Sequence, residues 1–356
     1  MLFSSFRSLL LPFLMPLVAC GGDDGAPVTA TAAPTPVPSP AVVTASPAPA
    51  PSPAPVAAVE PYAIGSLTYS LAADIPADKV AGIRDAMDFV VAHSNAIAAF
   101  TGTIPVVYGA GTPTADASYQ GQIRFGGSIG RRVALHELAH WLGSGSAAPW
   151  NGLVKDGRFT GMLTNARLRA LDGDAAVLSV DGQHFWPYGL NYDREFHETQ
   201  RNTQLVSAQR ADMGLAADAT AAIAGMRRFQ NRSSEHVLQG AMSGSAPVGA
   251  ANATGPVQQW RVGFDNGFVT LVNNGSGLAL AAAGTAGDDA PTTMAAVADT
   301  RLQQWEMMPV GEPGWFLLRN RQTGTCLDTI GNSAAGAPLR LWSCGFHPNQ
   351  QWRLVR

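Results

Sequence analysis

Charge is scarce in this chain. Asp, Glu, Lys and Arg make up 14% of its 356 residues, and the formal net charge is −3. There is no basic block and the isoelectric point is near 6.1, which leaves no electrostatic footprint for nucleic acid. Cysteine is scarcer still. Only Cys20, Cys326 and Cys344 are present, and an odd total leaves one residue to be explained. The apolar run from Leu9 to Val18 is too short to span a bilayer comfortably. In place of charge stand 38 glycines and 25 prolines, a composition that fits an exported protein rich in loops and β structure. The length allows two globular domains and a tail.

The N-terminus opens with Arg7, the apolar run, and then Ala19 before Cys20, in the order basic, apolar, small-residue cleavage point. "LVAC" (17–20) resembles a bacterial lipobox. That resemblance implies a signal peptide over 1–19 and a lipid on Cys20, with Gly21 favouring outward sorting. With Cys20 so assigned, Cys326 and Cys344 remain, and export into an oxidising compartment predicts a disulfide between them. From 20 to 61 the chain is rich in Pro, Ala and Thr, with ten prolines between Pro27 and Pro55. Such a segment cannot build a core and reads as an extended tether.

A folded domain is expected over 62–228. "SLTYSLA" (66–72) alternates like a strand. Val80, Ile83, Met87, Val90 and Ile97 then follow at helical spacing after a proline. "IPVVYG" (104–109) and "GQIRFGG" (121–127) read as strands separated by a loop. "IGRRVALHELAHWLG" (129–143) reads as a helix that Gly143 terminates. On that helix His136 and His140 lie four apart, so both imidazoles reach one ion, and Glu137 sits beside the same point. Neutral imidazoles suit Zn²⁺, and three protein ligands leave a fourth position for water, whose proton a glutamate takes. Glu137 is therefore the candidate general base. The order of elements, with HExxH on the second helix, resembles a zincin-type metallopeptidase core, which implies an α+β domain with peptidase activity. The commonest extended motif places a third histidine where this chain has Ser146. "HFWPYGLNY" (184–192) resembles a segment found downstream of HExxH in secreted zincin-like proteins joined to lectin modules, and its fixed path makes His184 the expected third ligand. Glu195 or Glu198 would instead give a glutamate-liganded site, and His197 looks like a surface residue. Tyr188 or Tyr192 is a candidate donor to an oxyanion. His93 is expected to be structural. If Ile123–Phe125 is a sheet edge, it would align an extended peptide substrate by backbone pairing.

The last third repeats. "VQQW", "LQQW" and "NQQW" end at Trp260, Trp305 and Trp352, and "NRSSEHVLQ", "NNGSGLALA" and "NRQTGTCLD" align from Asn231, Asn273 and Asn320. Threefold QxW repetition over 229–356 resembles the ricin B-type lectins, which implies an all-β trefoil. In the third repeat the resemblance makes Asp328 the acceptor of sugar hydroxyls, Trp342 the aromatic platform, Asn349 and Gln350 further polar contacts, and Cys326–Cys344 the intra-repeat disulfide. Gln239 and Ala281 hold the Asp328 position in the other repeats, and Ala250 and Ala295 hold the platform position. One sugar site is thus expected.

The whole reads as a multidomain protein, an α+β zincin-like domain followed by an all-β trefoil. Two functions compete. One is a zinc peptidase anchored to or released from the bacterial cell envelope, held on a glycan or glycoprotein by its lectin module. The other is a lipid-anchored lectin or adhesin with a non-catalytic zincin-like domain. Both place the protein at the membrane through its N-terminal lipid only, and neither involves nucleic acid.

Overall fold

The computed structural model describes residues 60–332 and 334–356, so Cys20 and the proline-rich segment lie outside the described residues. Within them, β1 (Ser66–Leu71), β2 (Thr101–Tyr108), β3 (Ala115–Ala117) and β4 (Ile123–Phe125) form one sheet in the order β1-β2-β4-β3. β1, β2 and β4 run parallel, and β3 runs antiparallel to β4. Helix α1 (Ala77–Ile97) follows Pro76, and its expected apolar stripe buries Ile83, Met87, Val90 and Ile97. Helix α2 (Arg131–Leu142) buries Val133, Leu135, Leu138, Trp141 and Leu142 in the same core. Gly143, at φ 121°, takes the backbone out of α2 in a conformation that side chains disfavour.

The segment between α2 and the repeats is ordered by polar contacts more than by apolar pattern. Four two-residue strands form a small sheet, the last of them Phe185–Trp186. Helices α3 (Met162–Asp172) and α4 (Thr199–Asp212) pack beside it. Asn202, Gln204, Ser207 and Gln209 of α4 are all buried. Such groups need partners inside the protein. Asn202 donates to Tyr188 O, Gln204 to Gly267 O and Ser207 to Asp218, while Gln209 accepts from Ser144. Arg167, 1% exposed, forks onto Asp218 at 2.5 Å.

The C-terminal region is three copies of a four-stranded unit. The first copy holds Gly225–Asn231, Val237–Gln239, Val248–Ala250 and Trp260–Asp265. In each copy the first and last strands join a closed antiparallel ring of six, which shuts where Trp352–Val355 pairs with Gly225–Asn231. The middle strands make three hairpins. The repeat motifs explain the symmetry. The indole N–H groups of Trp260, Trp305 and Trp352 donate to Leu238, Leu280 and Leu327 O. The Asn231, Asn273 and Asn320 side chains each accept from two backbone N–H groups of the following turn. The expected boundary between 228 and 229 falls inside the first ring strand, because pairing with Trp260–Val262 begins at Gly225.

The two halves share contacts directly. Ala96 and Ile97 at the end of α1 belong to the apolar cluster inside the trefoil. Tyr62 N donates to Leu354 O, and Pro61 bridges Val355. The described residues accordingly belong to one compact unit. No helix of the described residues is long and apolar enough to cross a membrane.

Candidate functional site

A cleft of about 500 Å³ opens between α2, the edge strand β3 and the loop that carries His184. His136, His140 and His184 each offer a ring nitrogen, and the three nitrogens lie within 4.8 Å of one another. His136 Nδ1 lies 2.7 Å from Gly189 O, and His140 Nδ1 lies 2.7 Å from Ser144 O. His184 Nδ1 is 3.1 Å from the Asp181 carboxylate. All three partners are acceptors, so each ring donates from Nδ1, and the neutral His136 and His140 rings leave Nε2 bare. The Nε2 atoms of His136 and His140 face each other at 3.2 Å. Two lone pairs at that distance repel unless a cation lies between them. Burial, with His140 adding to it, pushes the His136 imidazolium down to about 3, and burial also lowers His140. Both are neutral at ordinary pH, as metal ligands must be. A tetrahedral zinc with bonds of about 2.1 Å holds its nitrogens about 3.4 Å apart, so the His136–His140 pair fits that ion, with His184 within reach as a third donor.

Glu137 is 4% exposed, lines the same cleft, and its Oε2 has no hydrogen-bond partner. Burial, with Asp116 adding to it, raises its carboxyl to about 7. Ser146, at the position of the extended motif's histidine, donates instead to His140 O, the backbone of the helix's last turn. The turn beside it brings the His184 loop near. Gly145 has φ 71°, and a Cβ there would lie 1.8 Å from Gln183 O. That glycine is the signal in "HWLGSG" that a distant segment must pass over the end of α2.

Some expected residues stand elsewhere. Glu195 Oε2 accepts from Asn191 N at 2.7 Å and so closes a backbone turn outside the histidine cluster. The Glu198 side chain lies outside the described set, and His197, exposed, is not part of the cluster. Tyr188 does not line the cleft. Its hydroxyl donates to Asp172 at 2.7 Å, and burial, then this bond, raises it well above the usual phenol range. The expected oxyanion donor Tyr188 is therefore turned away, because a carboxylate on α3 outcompetes the cleft for its proton. Tyr192 does line the cleft. The expected edge at Ile123–Phe125 is also corrected. β4 is paired on both sides, and the edge is β3, Ala115–Ala117, in the stretch that reads as a loop. Its neighbours Thr114 to Ala117 form one wall of the cleft. His93 is fully buried against Phe89 and serves no site.

In the third trefoil lobe, Asp328 and Trp342 stand on paired strands of one hairpin. Trp342 is 38% exposed, whereas Asp328 is 1% exposed. Asp328 accepts from Asn349 Nδ2 at 2.6 Å and Gln350 Nε2 at 2.8 Å, and Ile330 N also donates to it. Gln350 is fully buried and also spans Ser343 O and Gly345 N. Gln258 and Gln303 make the same two backbone contacts in their lobes. Gln350 is thus part of the framework and holds Asp328 from below; it presents no surface to a sugar, contrary to expectation. Cys326 and Cys344 are joined in a disulfide.

Comparison with known proteins bears on this half. The model of the ricin-type β-trefoil lectin domain-like family matches residues 301–356. No curated protein matches the chain in sequence. Among solved structures, the designed three-fold symmetric protein ThreeFoil is 28% identical, with a TM-score of 0.36, over 37% of this chain and 99% of that one. A ricin B-like lectin of Macrolepiota procera, solved with lactose, is 22% identical with a TM-score of 0.34, over 37% of this chain and 96% of that one. The Rhizoctonia solani agglutinin is 23% identical with a TM-score of 0.33, over 37% and 94%. The closed threefold ring makes the C-terminal module a β-trefoil, and its third lobe is the part that matches the ricin-type lectin model.

Proposed function

We propose that this chain is a zinc-dependent peptidase of the bacterial cell envelope, anchored through a lipid on Cys20 or released, and held on a glycan or glycoprotein by its trefoil. The observation that carries the reading is the pair of bare Nε2 atoms facing at 3.2 Å beside the orphaned, buried Glu137 Oε2. His136, His140 and His184 would hold the ion. Bound there, Zn²⁺ would supply a Lewis acid and lower the pKa of water toward neutrality. The remaining work falls to the chain itself. Glu137 Oε2 takes the proton of the attacking water and returns it to the leaving amine. β3 offers free backbone groups to an extended peptide, which sets its depth over the histidines. Asn191 and Tyr192 close the far rim of the cleft.

On the trefoil, Trp342 would stack on the apolar face of a pyranose while Asn349 meets its hydroxyls, held in place by the buried Asp328 carboxylate. Gln350 orients that carboxylate.

Metal content of the purified mature protein tests the first half of this reading. Wild type should carry about one zinc per chain, and His184→Ala much less. Glu137→Gln should retain zinc and lose cleavage of a denatured protein substrate by about 10²-fold or more. Wild type without metal after zinc is supplied would leave a tethered lectin.

A further inference from the structure

We infer that Glu306, a residue of the trefoil, is a positioning residue for the histidine cluster, acting through Arg201 and Tyr188 on the loop that orients His136. The inference rests on the metal-site reading above. His136 is oriented by Gly189 O, and Gly189 lies between two non-glycine residues in left-handed backbone, Tyr188 at φ 68° and Leu190 at φ 58°. Side chains hold such conformations only where the surroundings impose them. On one side the constraint comes from α2, where Arg132 donates to Leu190 O at 2.6 Å. On the other side it comes from α4. Asn202 donates to Tyr188 O at 2.8 Å, and Arg201 donates to the Tyr188 hydroxyl at 2.7 Å.

The guanidinium of Arg201 is held in turn by the trefoil. It reaches Glu306 Oε1 at 3.4 Å and Asp172 Oδ1 at 3.2 Å. Glu306 is 3% exposed, and its other oxygen takes Arg319 Nε at 3.1 Å. Glu306 is thus the buried carboxylate that Arg201 and Arg319 share. Removing its charge takes away the anion that holds the two guanidinium groups toward one point, and their mutual repulsion is then less offset. Arg201 then shifts, and Tyr188 loses one of the contacts that fix it.

The threefold repeat makes the assignment specific. The residue after each QxW tryptophan is Arg261 in the first lobe and Arg353 in the third. Only in the second lobe, where that position faces α4, is it a buried glutamate. A trefoil framework requires no acid there, since two of its three lobes do without one.

The test uses Co²⁺ as the probe on the mature protein, with its visible absorption reporting ligand geometry. Hydrogen exchange of residues 182–192 is followed in parallel without metal. Glu306→Gln should weaken Co²⁺ binding roughly tenfold, the lower end of the effect of removing a direct partner of a ligand, because it acts at one remove. It should also alter the absorption band and speed exchange in the loop. Tyr188→Phe should do the same, and the double variant should lose little more than the stronger single one, as expected for residues on one path. Gln258→Ala, which weakens the trefoil far from this junction, should change none of these readouts. Wild-type affinity, band and exchange in both Glu306→Gln and Tyr188→Phe would overturn the inference, as would an equal loss in Gln258→Ala. A wild type that takes up no Co²⁺ would sink the metal-site reading, while loop exchange would still decide whether Glu306 positions the loop.

Discussion

At the scale of single residues, the buried polar atoms left without partners among the described residues differ in meaning. Glu137 Oε2 is buried in the wall of a cleft, where the proposed function gives it a use. His93 is fully buried, and its ring nitrogens meet no partner at full hydrogen-bond geometry, with the Thr199 backbone alongside. Burial pushes its imidazolium from 6.5 down to about 4. The sign follows directly. Above about 6.5 the ring is neutral whether the chain is folded or not. Between about 6.5 and about 4 the unfolded chain binds a proton that the folded one refuses, so stability falls as pH falls. The shift corresponds to about 3 kcal/mol by the bottom of that window. Urea unfolding of wild type beside His93→Leu, at pH values across the window, should show the slope in wild type and a shallower one in the variant. Equal slopes would contradict the assignment.

At the scale of elements, the three lobes form an internal control. Gln258, Gln303 and Gln350 each bridge two backbone groups from a buried position, and losing such a bridge should cost each lobe about 1–3 kcal/mol. Alanine at each should therefore lower stability alike, as read by chemical unfolding. Only Gln350→Ala should also abolish retention on immobilised glycans, because only that glutamine holds an aspartate. Retention by Gln350→Ala at the wild-type level would show that Asp328 needs no such support. The repeats made this half legible from sequence: the QxW register, the lone acidic position at Asp328 and the cysteine pair are all visible as departures from threefold identity. Gln350 itself could have been recognised as framework by its match to Gln258 and Gln303. Helix α2 was legible through its amphipathic face, which buries the expected apolar positions. The edge strand was not, because three residues within "GTPTADAS" carry no periodicity and pair only through the backbone of β4. Nor was the direction of Tyr188, since its partner Asp172 lies on a helix whose position follows from tertiary packing.

At the scale of the whole molecule, the two halves should unfold together. Ala96 and Ile97 fill the trefoil's apolar cluster, Tyr62 pairs with Leu354, and buried charges cross between α4 and the ring. Calorimetry should show one transition, and a chain cut before Gly225 should lose solubility as those surfaces meet water. Two resolved transitions would refute this. Reduction of Cys326–Cys344, which closes a loop of sequence separation 18, should lower stability by about 3 kcal/mol and shift that single transition as one.

The shared core, the Tyr62 bridge and the Glu306 junction tie the half that bears the cleft to the half that bears the exposed face of Trp342. Under the proposed function, the protein would then work as a ruler. A glycan gripped at the third lobe would place only those peptide bonds lying one fixed span away within reach of the cleft. Selectivity would come from distance measured along the substrate, with little demand on the side chains flanking the bond that is cut.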